Sequence, residues 1–133
     1  MVFLTLRGFE KKVRSTHKYI IDWEGKSLSK LQKQAKEILY EYWCSDFVYE
    51  EFPVAGTRLS FDFYNASKKI ALEVDGRQHY KFNKHFHSNS RQNFLDQLRR
   101  DDTKERFCEA NNITLYRVVE GESIKDQIES LNL

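Results

Sequence analysis

The sequence predicts a mixed α/β fold of the α+β type: a central mixed β-sheet of about four strands flanked by helices. The order is helix, strand, strand, strand, helix, strand, helix, after an N-terminal β-hairpin. Three observations predict it. Leu59-Phe61-Phe63 and Ile70-Leu72-Val74 alternate with more polar residues, the period of half-buried strands, and apolar runs at 47–52 and 113–119 read as two more. Helical spacing marks two longer stretches, 27–42 and 90–111. The second of these lies between the third and fourth strands, and such a crossing implies a mixed sheet with helices on both faces.

In chain order, residues 2–7 and 12–23 read as short strands joined through Gly8, a basic extension occupying 1–23. Gly25 precedes the first helix, which Ser27 or Ser29 can cap; Ser29-Lys-Leu-Gln32 has the form of a capping box. Leu28, Leu31, Ala35, Ile38, Leu39 and Tyr42 then form one inward stripe. Glu37 points away from that stripe and Gln32 lies at its edge, the better placed of the two to reach a site near the helix start. A strand at 47–52 ends at Pro53, and Ala55-Gly56-Thr57 turns the chain into the next. Lys81 to Arg91 is polar, basic and aperiodic and reads as a loop, with His85 and His87 solvated. From about Ser90 to Asn111 a second helix carries Phe94, Leu98 and Cys108 on one stripe, with Asp101 among them. Lys104, one turn on, is placed to pair with Asp101 or touch a phosphate. Asn111-Asn112 suits a left-handed helix end. Ser123 opens a short final helix with Ile124, Ile128 and Leu131 inward. One domain, 1–133, accounts for the chain, with a core at 27–119 and the last helix in 120–133.

The stretch LSFDFYNASKKIALEVDGRQHY, 59–80, carries the chemistry. If its two strands pair about the Asn65-Ala66-Ser67 turn, Asp62 falls on the face opposite its apolar trio, and so do Glu73 and Asp75. Three carboxylates then converge at one end of the sheet, with His79 close behind. Such a cluster resists burial unless a cation compensates it, and a divalent metal is the natural one. The plainer reading of alternating acids, a solvated strand face, fits Glu73 and Asp75 about as well; Asp62, set among aromatics, fits it less well.

Composition narrows the class. An apolar content of 40% and 14% aromatics describe a folded chain. No apolar run approaches the roughly 18 residues of a membrane span, and no signal-peptide stretch opens the sequence. Cys44 and Cys108 are isolated, which points to a reducing cytoplasm. Net charge is only +2, but residues 1–36 hold nine Lys/Arg against three acids, 37–62 one against six, and 77–106 eight against four. An acidic zone between two basic ones suits a metal site beside a polyanion track.

Asp62, then Glu73-Val-Asp75-Gly76-Arg-Gln-His79, then Asp101-x-x-Lys104 and Leu115-Tyr-Arg117 together resemble the PD-(D/E)xK nuclease superfamily. The nearest branch holds the very-short-patch-repair endonuclease and the phage homing endonucleases of the EDxHD type. The resemblance covers about 27–119 and implies a restriction-endonuclease-like core, a phage or bacterial setting and DNA as the partner, a homodimer being possible. It implies Mg²⁺ or Mn²⁺ on Asp62 and Glu73, with His79 as the proton-transfer group and Asp101 orienting either that histidine or a metal water. Lys104 or Arg77 would stabilise the scissile phosphate, and Lys81, Lys84 and Arg91 would follow the DNA backbone. Asp75 stands where the superfamily has its usual lysine. The branch's first-helix acid falls near Gln32, with Glu37 and Glu41 as substitutes. The activity implied is hydrolysis of phosphodiesters by a homing-type or nicking endonuclease, with repair or restriction as alternative roles. Two other classes stay open: a non-catalytic DNA-binding module, and a small-molecule metal hydrolase.

Overall fold

A computed structural model describes residues 1–76 and 88–133, with side chains described for all of these except 88–90. Four strands form the main sheet: β3 (Val48–Pro53), β4 (Ser60–Asn65), β5 (Ile70–Asp75) and β6 (Thr114–Val119). They lie in chain order; the first two junctions are antiparallel, and β5 runs parallel to β6 in unbroken register from Ile70↔Thr114 to Asp75↔Val119. The mixed sheet expected from the sequence is present. α2 (Ser88–Ala110) makes the crossing that the parallel pair requires.

Two apolar layers cover the sheet. On one side α1 (Lys30–Trp43) and α3 (Ile124–Glu129) pack Ala35, Leu39, Trp43, Ile124 and Ile128 against Val48, Phe63, Leu72 and Val118. On the other, Phe107 and Cys108 of α2 meet Phe52, Phe61, Tyr64 and Ala71. The helix ends follow the predicted caps: Ser29 Oγ accepts from the Gln32 N–H at 3.1 Å and Ser123 Oγ from the Asp126 N–H at 3.2 Å. Asn112 closes α2 at a left-handed φ of 55°.

Several expectations are corrected. The inward face of α1 is turned from the predicted stripe: Leu28 is 79% exposed and Tyr42 is exposed, while Gln32 and Lys36 are buried beside Ala35 and Leu39. Acids on β3 draw those two polar residues inward. Leu98 of α2 is exposed and Phe107 holds the core position instead. α2 begins at Ser88, two residues before the expected start at about Ser90, so the end of the segment read as loop is the helix's first turn. The N-terminal hairpin exists, but its strands are β1 (Val2–Leu4) and β2 (Glu10–Lys12). In place of a second strand through 18–23, Thr16–Tyr19 form a 3₁₀ turn, and Ile20 makes a single bridge to Tyr49.

The strict alternation expected of 59–64 also breaks. Tyr49 and Phe52, three residues apart, share one apolar layer, and so do Phe61 and Tyr64. Phe63 lies in the opposite layer. A strand of period two cannot do this without a local irregularity. It falls at Glu51 and Asp62, and the candidate site lies there.

Candidate active site

β3 and β4 pair from Val48↔Asn65 to Pro53↔Ser60, but the step joining Glu51 and Asp62 is missing from the ladder. Glu51 has a φ of 54°, a strained value for a residue with a side chain. The β4–β5 ladder runs from Asn65↔Ile70 to Phe63↔Leu72 and stops one step short of Asp62 and Glu73. Backbone donors exposed by that opening need acceptors, and the two acids supply them. The Asp62 N–H donates to Glu73 Oε2 at 2.8 Å, and the Val74 N–H donates to Asp62 Oδ2 at 2.7 Å. Each carboxylate is therefore bonded to the other's strand.

These two acids face an open cleft lined also by Arg58, Ser60, Asp75, Gln97 and Arg100. Glu73 is 2% exposed and ion-paired to Lys104 Nζ, delivered by α2. The predicted Lys104–Asp101 pair is thus replaced by Lys104–Glu73. Burial first, and the Glu73 carboxylate second, push the Asp62 pKa up to about 8, against the opposing pull of the Val74 N–H and Lys104. Burial raises Glu73 as well, although Lys104 and the Asp62 N–H hold it down. Both shifts have one meaning: two adjacent carboxylates, one half-buried and one buried, are short of positive charge.

Asp75 departs from the expected trio. It lies towards Arg117 of β6, whose Nε is 3.8 Å from Asp75 Oδ2. Nη2 of the same guanidinium is 3.9 Å from Asp101 Oδ1 and donates to the Asp101 carbonyl at 3.0 Å, while Nη1 reaches Glu105 at 2.5 Å. Asp101 is buried, as an acid on an inward helical face should be only with a partner. Its pKa is raised by burial and pulled back by Arg117. Arg117 therefore ties β5, β6 and α2 together along the cleft wall.

A second polar group stands behind the site. Gln32 Nε2 donates to Glu50 Oε2 at 2.8 Å and to Glu51 Oε1 at 3.0 Å. Ser60 Oγ donates to Glu51 Oε2 at 3.1 Å, so the strained residue opposite Asp62 is held from both sides. Lys36, fully buried, gives Nζ to Glu50 Oε1 at 2.9 Å and to the Asp22 and Lys26 carbonyls at 2.9 and 3.3 Å. Gln32 thus reaches the site's neighbour Glu51 and not the Asp62–Glu73 pair itself. Glu37 and Glu41 are exposed, on the far side of the helix from Gln32. Replacing Lys36 by Met should destabilise the protein by roughly 3–5 kcal/mol, because Glu50 keeps its burial and loses its cation. Urea unfolding measures this, and Lys36→Met/Glu50→Gln should recover part of the loss. A loss under about 1 kcal/mol would assign the pair no more than a surface ion pair's worth.

Arg91 is exposed in the first turn of α2. Arg77, His79, Lys81, Lys84, His85 and His87 lie outside the described residues. Arg58, Gln97, Arg100 and the Lys36–Glu50 pair were not singled out by sequence reasoning, and Arg117 entered only as part of a motif. An arginine inside a parallel strand, where apolar residues are the rule, was the one available signal.

The pair Asp62 and Glu73 fits a hard divalent cation. All its donors are oxygens, its charge is only half offset by Lys104, and it opens on a cleft. Among the described residues no third acid, imidazole or thiolate joins them in a ligand cluster. Two carboxylates with water and substrate phosphate are what Mg²⁺ usually takes, whereas Ca²⁺ wants six to eight oxygen ligands.

Comparisons with known proteins return viral relatives. The chain is 45% identical over 60 residues to "Uncharacterized protein 307L" of Invertebrate iridescent virus 6, covering 45% of this chain and 30% of that protein. It is 36% identical over 66 residues to "Uncharacterized protein 033L" of Invertebrate iridescent virus 3, covering 50% and 34%. It is 39% identical over 66 residues to "Uncharacterized protein 094L" of Frog virus 3, covering 50% and 43%. The chain spans less than half the length of each of these relatives. No family model matches the chain, and no solved structure matches it significantly. Among the described residues no helix is long and apolar enough to cross a membrane.

Proposed function

We propose that this chain is a metal-dependent DNA endonuclease with a restriction-endonuclease-like core, similar to the very-short-patch-repair branch of the PD-(D/E)xK nucleases. One observation carries the reading. Asp62 and Glu73 leave the β4–β5 ladder together, stand side by side with Asp62 half-buried and Glu73 buried, and have one ammonium near them, that of Lys104 ion-paired to Glu73. Structural acids would pair one to one; an under-compensated pair on an open cleft is arranged to receive more positive charge.

A bound Mg²⁺ would supply charge neutralisation at the scissile phosphate and lower the pKa of an attacking water. The chain's own groups do the rest. Asp62 and Glu73 would hold the cation. Lys104 takes the place of the lysine that the superfamily carries at the position of Asp75, arriving from α2 instead of from β5. In the presence of substrate its ammonium is shared between Glu73 and a phosphate oxygen. Arg58 and Arg100, both exposed on the cleft rim, neutralise neighbouring phosphates. Arg117 fixes Asp101 and Asp75, and His79 accepts the proton of the attacking water. A homing-type or nicking role fits a small domain of this kind; repair or restriction would use the same site.

The test is direct: incubate supercoiled plasmid with the protein, with Mg²⁺, with Mn²⁺ and with EDTA. Metal-dependent nicked or linear product is expected. Plasmid left intact by both metals over a range of salt would contradict the reading. The Lys104–Glu73 pair favours a second reading, a DNA-binding module whose acids are stabilised without metal. That module would bind the plasmid in EDTA and leave it uncut in every condition.

A further inference from the structure

The N-terminal hairpin contributes little to the core and presents much to solvent. Phe3 inserts between Phe52, Tyr64 and Phe107, at ring-centroid distances of 5.8, 6.1 and 5.6 Å. Val13 and Thr5 are the other buried residues of its length. Asn111, at the end of α2, brackets the outer strand: its Oδ1 accepts from the Leu4 N–H at 2.7 Å and its Nδ2 donates to the Leu4 carbonyl at 2.9 Å. The tip is closed by Thr5 N–H to the Phe9 carbonyl at 2.9 Å and Gly8 N–H to the Thr5 carbonyl at 3.0 Å, with Gly8 at a φ of 89°. The hairpin is thus anchored at its base and hydrogen-bonded at its tip.

What that tip presents is unusual for a turn. Leu6 is 44% and Phe9 51% exposed, and they flank Arg7. A turn that only reversed the chain would be polar throughout. Arg7, Lys11, Lys12, Arg14 and Lys18 are all exposed, against Glu10 as the one acid between 7 and 18. Among the described residues none of these five cations has an ion-pair partner. The hairpin also adjoins the cleft. Thr5 lies against Gly56 in the β3–β4 connection, so closely that a Cβ there would meet Thr5 Cγ2 at 2.9 Å. Arg58, two residues further along that connection, lines the cleft beside Asp62.

We infer that the hairpin is a duplex-DNA-binding arm: Leu6 and Phe9 enter a groove with Arg7, and Lys11, Lys12 and Arg14 take the flanking phosphates. The inference rests on the nucleic-acid reading of the cleft and extends it to a second region of the surface, outside the catalytic site. Duplex DNA is the occupant that combines both features, because its backbone takes unpaired cations and its grooves take arginine and apolar wedges. A protein partner would leave five like charges uncompensated unless it were itself strongly acidic.

The experiment measures anisotropy of a labelled mixed-sequence DNA duplex in Ca²⁺ across a salt series. It compares the full chain, Arg7→Ala/Lys11→Ala/Lys12→Ala, Leu6→Ser/Phe9→Ser, and Asp62→Asn. The charge variant should weaken binding and flatten the salt slope by roughly two to three units, about 0.9 for each phosphate no longer neutralised. The tip variant should lose about tenfold or more in affinity with the slope unchanged, as for an interaction that is not ionic. All substituted hairpin residues are exposed, and thermal unfolding of each variant confirms that the fold is kept. Parent-like affinity and slope in both hairpin variants overturns the inference, and so does a full chain with no salt-dependent affinity for the duplex. Concentration-dependent self-association that Leu6→Ser/Phe9→Ser abolishes, without change in DNA affinity, makes the tip an interface between copies and also overturns it. Failure of the nuclease reading looks different: the hairpin variants lose binding, while neither the parent nor Asp62→Asn cuts.

Discussion

Asp62→Asn should reduce single-turnover cleavage by roughly 10²–10³-fold or more, the scale on which one group stabilising charge in a transition state is valued. Asparagine is the informative replacement. Its side-chain oxygen can still accept the Val74 N–H that Asp62 Oδ2 accepts at 2.7 Å, so the strand opening is retained and only the charge is removed. Thermal stability should be equal to the parent's, or higher at alkaline pH, because a half-buried acid beside Glu73 has been replaced by a neutral amide. Binding to DNA in Ca²⁺ should change little. A variant that cuts at the parent rate would remove Asp62 from the reaction and with it the assignment of the site.

His79→Ala should lower the same rate by roughly 10²–10⁴-fold, the range for a lost general acid–base group. His79 lies outside the described residues, so its role rests on spacing: it stands four positions past Asp75, which is the last residue of the strand that carries Glu73. On the proposed nuclease reading, which puts Asp75 at the position of the superfamily's usual lysine, and with Lys104 ion-paired to Glu73, this imidazole is the group suited to proton transfer near neutral pH. His85→Ala and His87→Ala are the controls and should cost far less. If His79→Ala cuts like the parent while one of the other two is inactive, the proton acceptor lies nearer the start of α2.

The sheet and the three helices are legible from periodicity because their apolar residues repeat where the backbone repeats. Ile70-Leu72-Val74 mark their strand plainly, and Ser29 and Ser123 mark two helix starts. The break at Glu51 and Asp62 is not legible this way. Alternation describes side chains, whereas the break is a rearrangement of backbone N–H groups onto Glu73 and Asp62. The helix wheel of α1 fails for a related reason. It scores Lys36 as a surface residue, whereas Glu50 on the neighbouring strand and the Asp22 and Lys26 carbonyls together make full burial of its ammonium tolerable. Lys18-Tyr-Ile-Ile-Asp-Trp23 looks like a strand by β-propensity, yet Ile20 is 61% exposed. The segment's backbone meets the sheet at the single bridge of Ile20 to Tyr49, where the Ile21 N–H donates to the Val48 carbonyl at 3.0 Å. Propensity reports what fits a pleated surface and not whether a partner strand exists.

That the carboxylate pair is a cation site is tested most directly by thermal unfolding against pH, with and without Mn²⁺. Asp62 has a folded pKa near 8, above its unfolded value, so the folded state binds its proton more tightly. That contribution is fully present below the unfolded carboxylate range, about 4, and is lost as pH rises through the folded value. Glu73, also raised, acts in the same direction. In chelator the parent should therefore lose stability relative to Asp62→Asn as pH climbs from about 4 towards 8 and beyond. Mn²⁺ takes the place of the proton. Its stabilisation should be small in acid and grow with pH, reaching about 2.7 kcal/mol when the metal is at a hundred times its Kd. Asp62→Asn should keep only the part of the loss that Glu73 contributes, and should show little of the recovery. Equal stabilisation of parent and variant by Mn²⁺, or none of either at pH 8, would contradict a metal centre at Asp62 and Glu73.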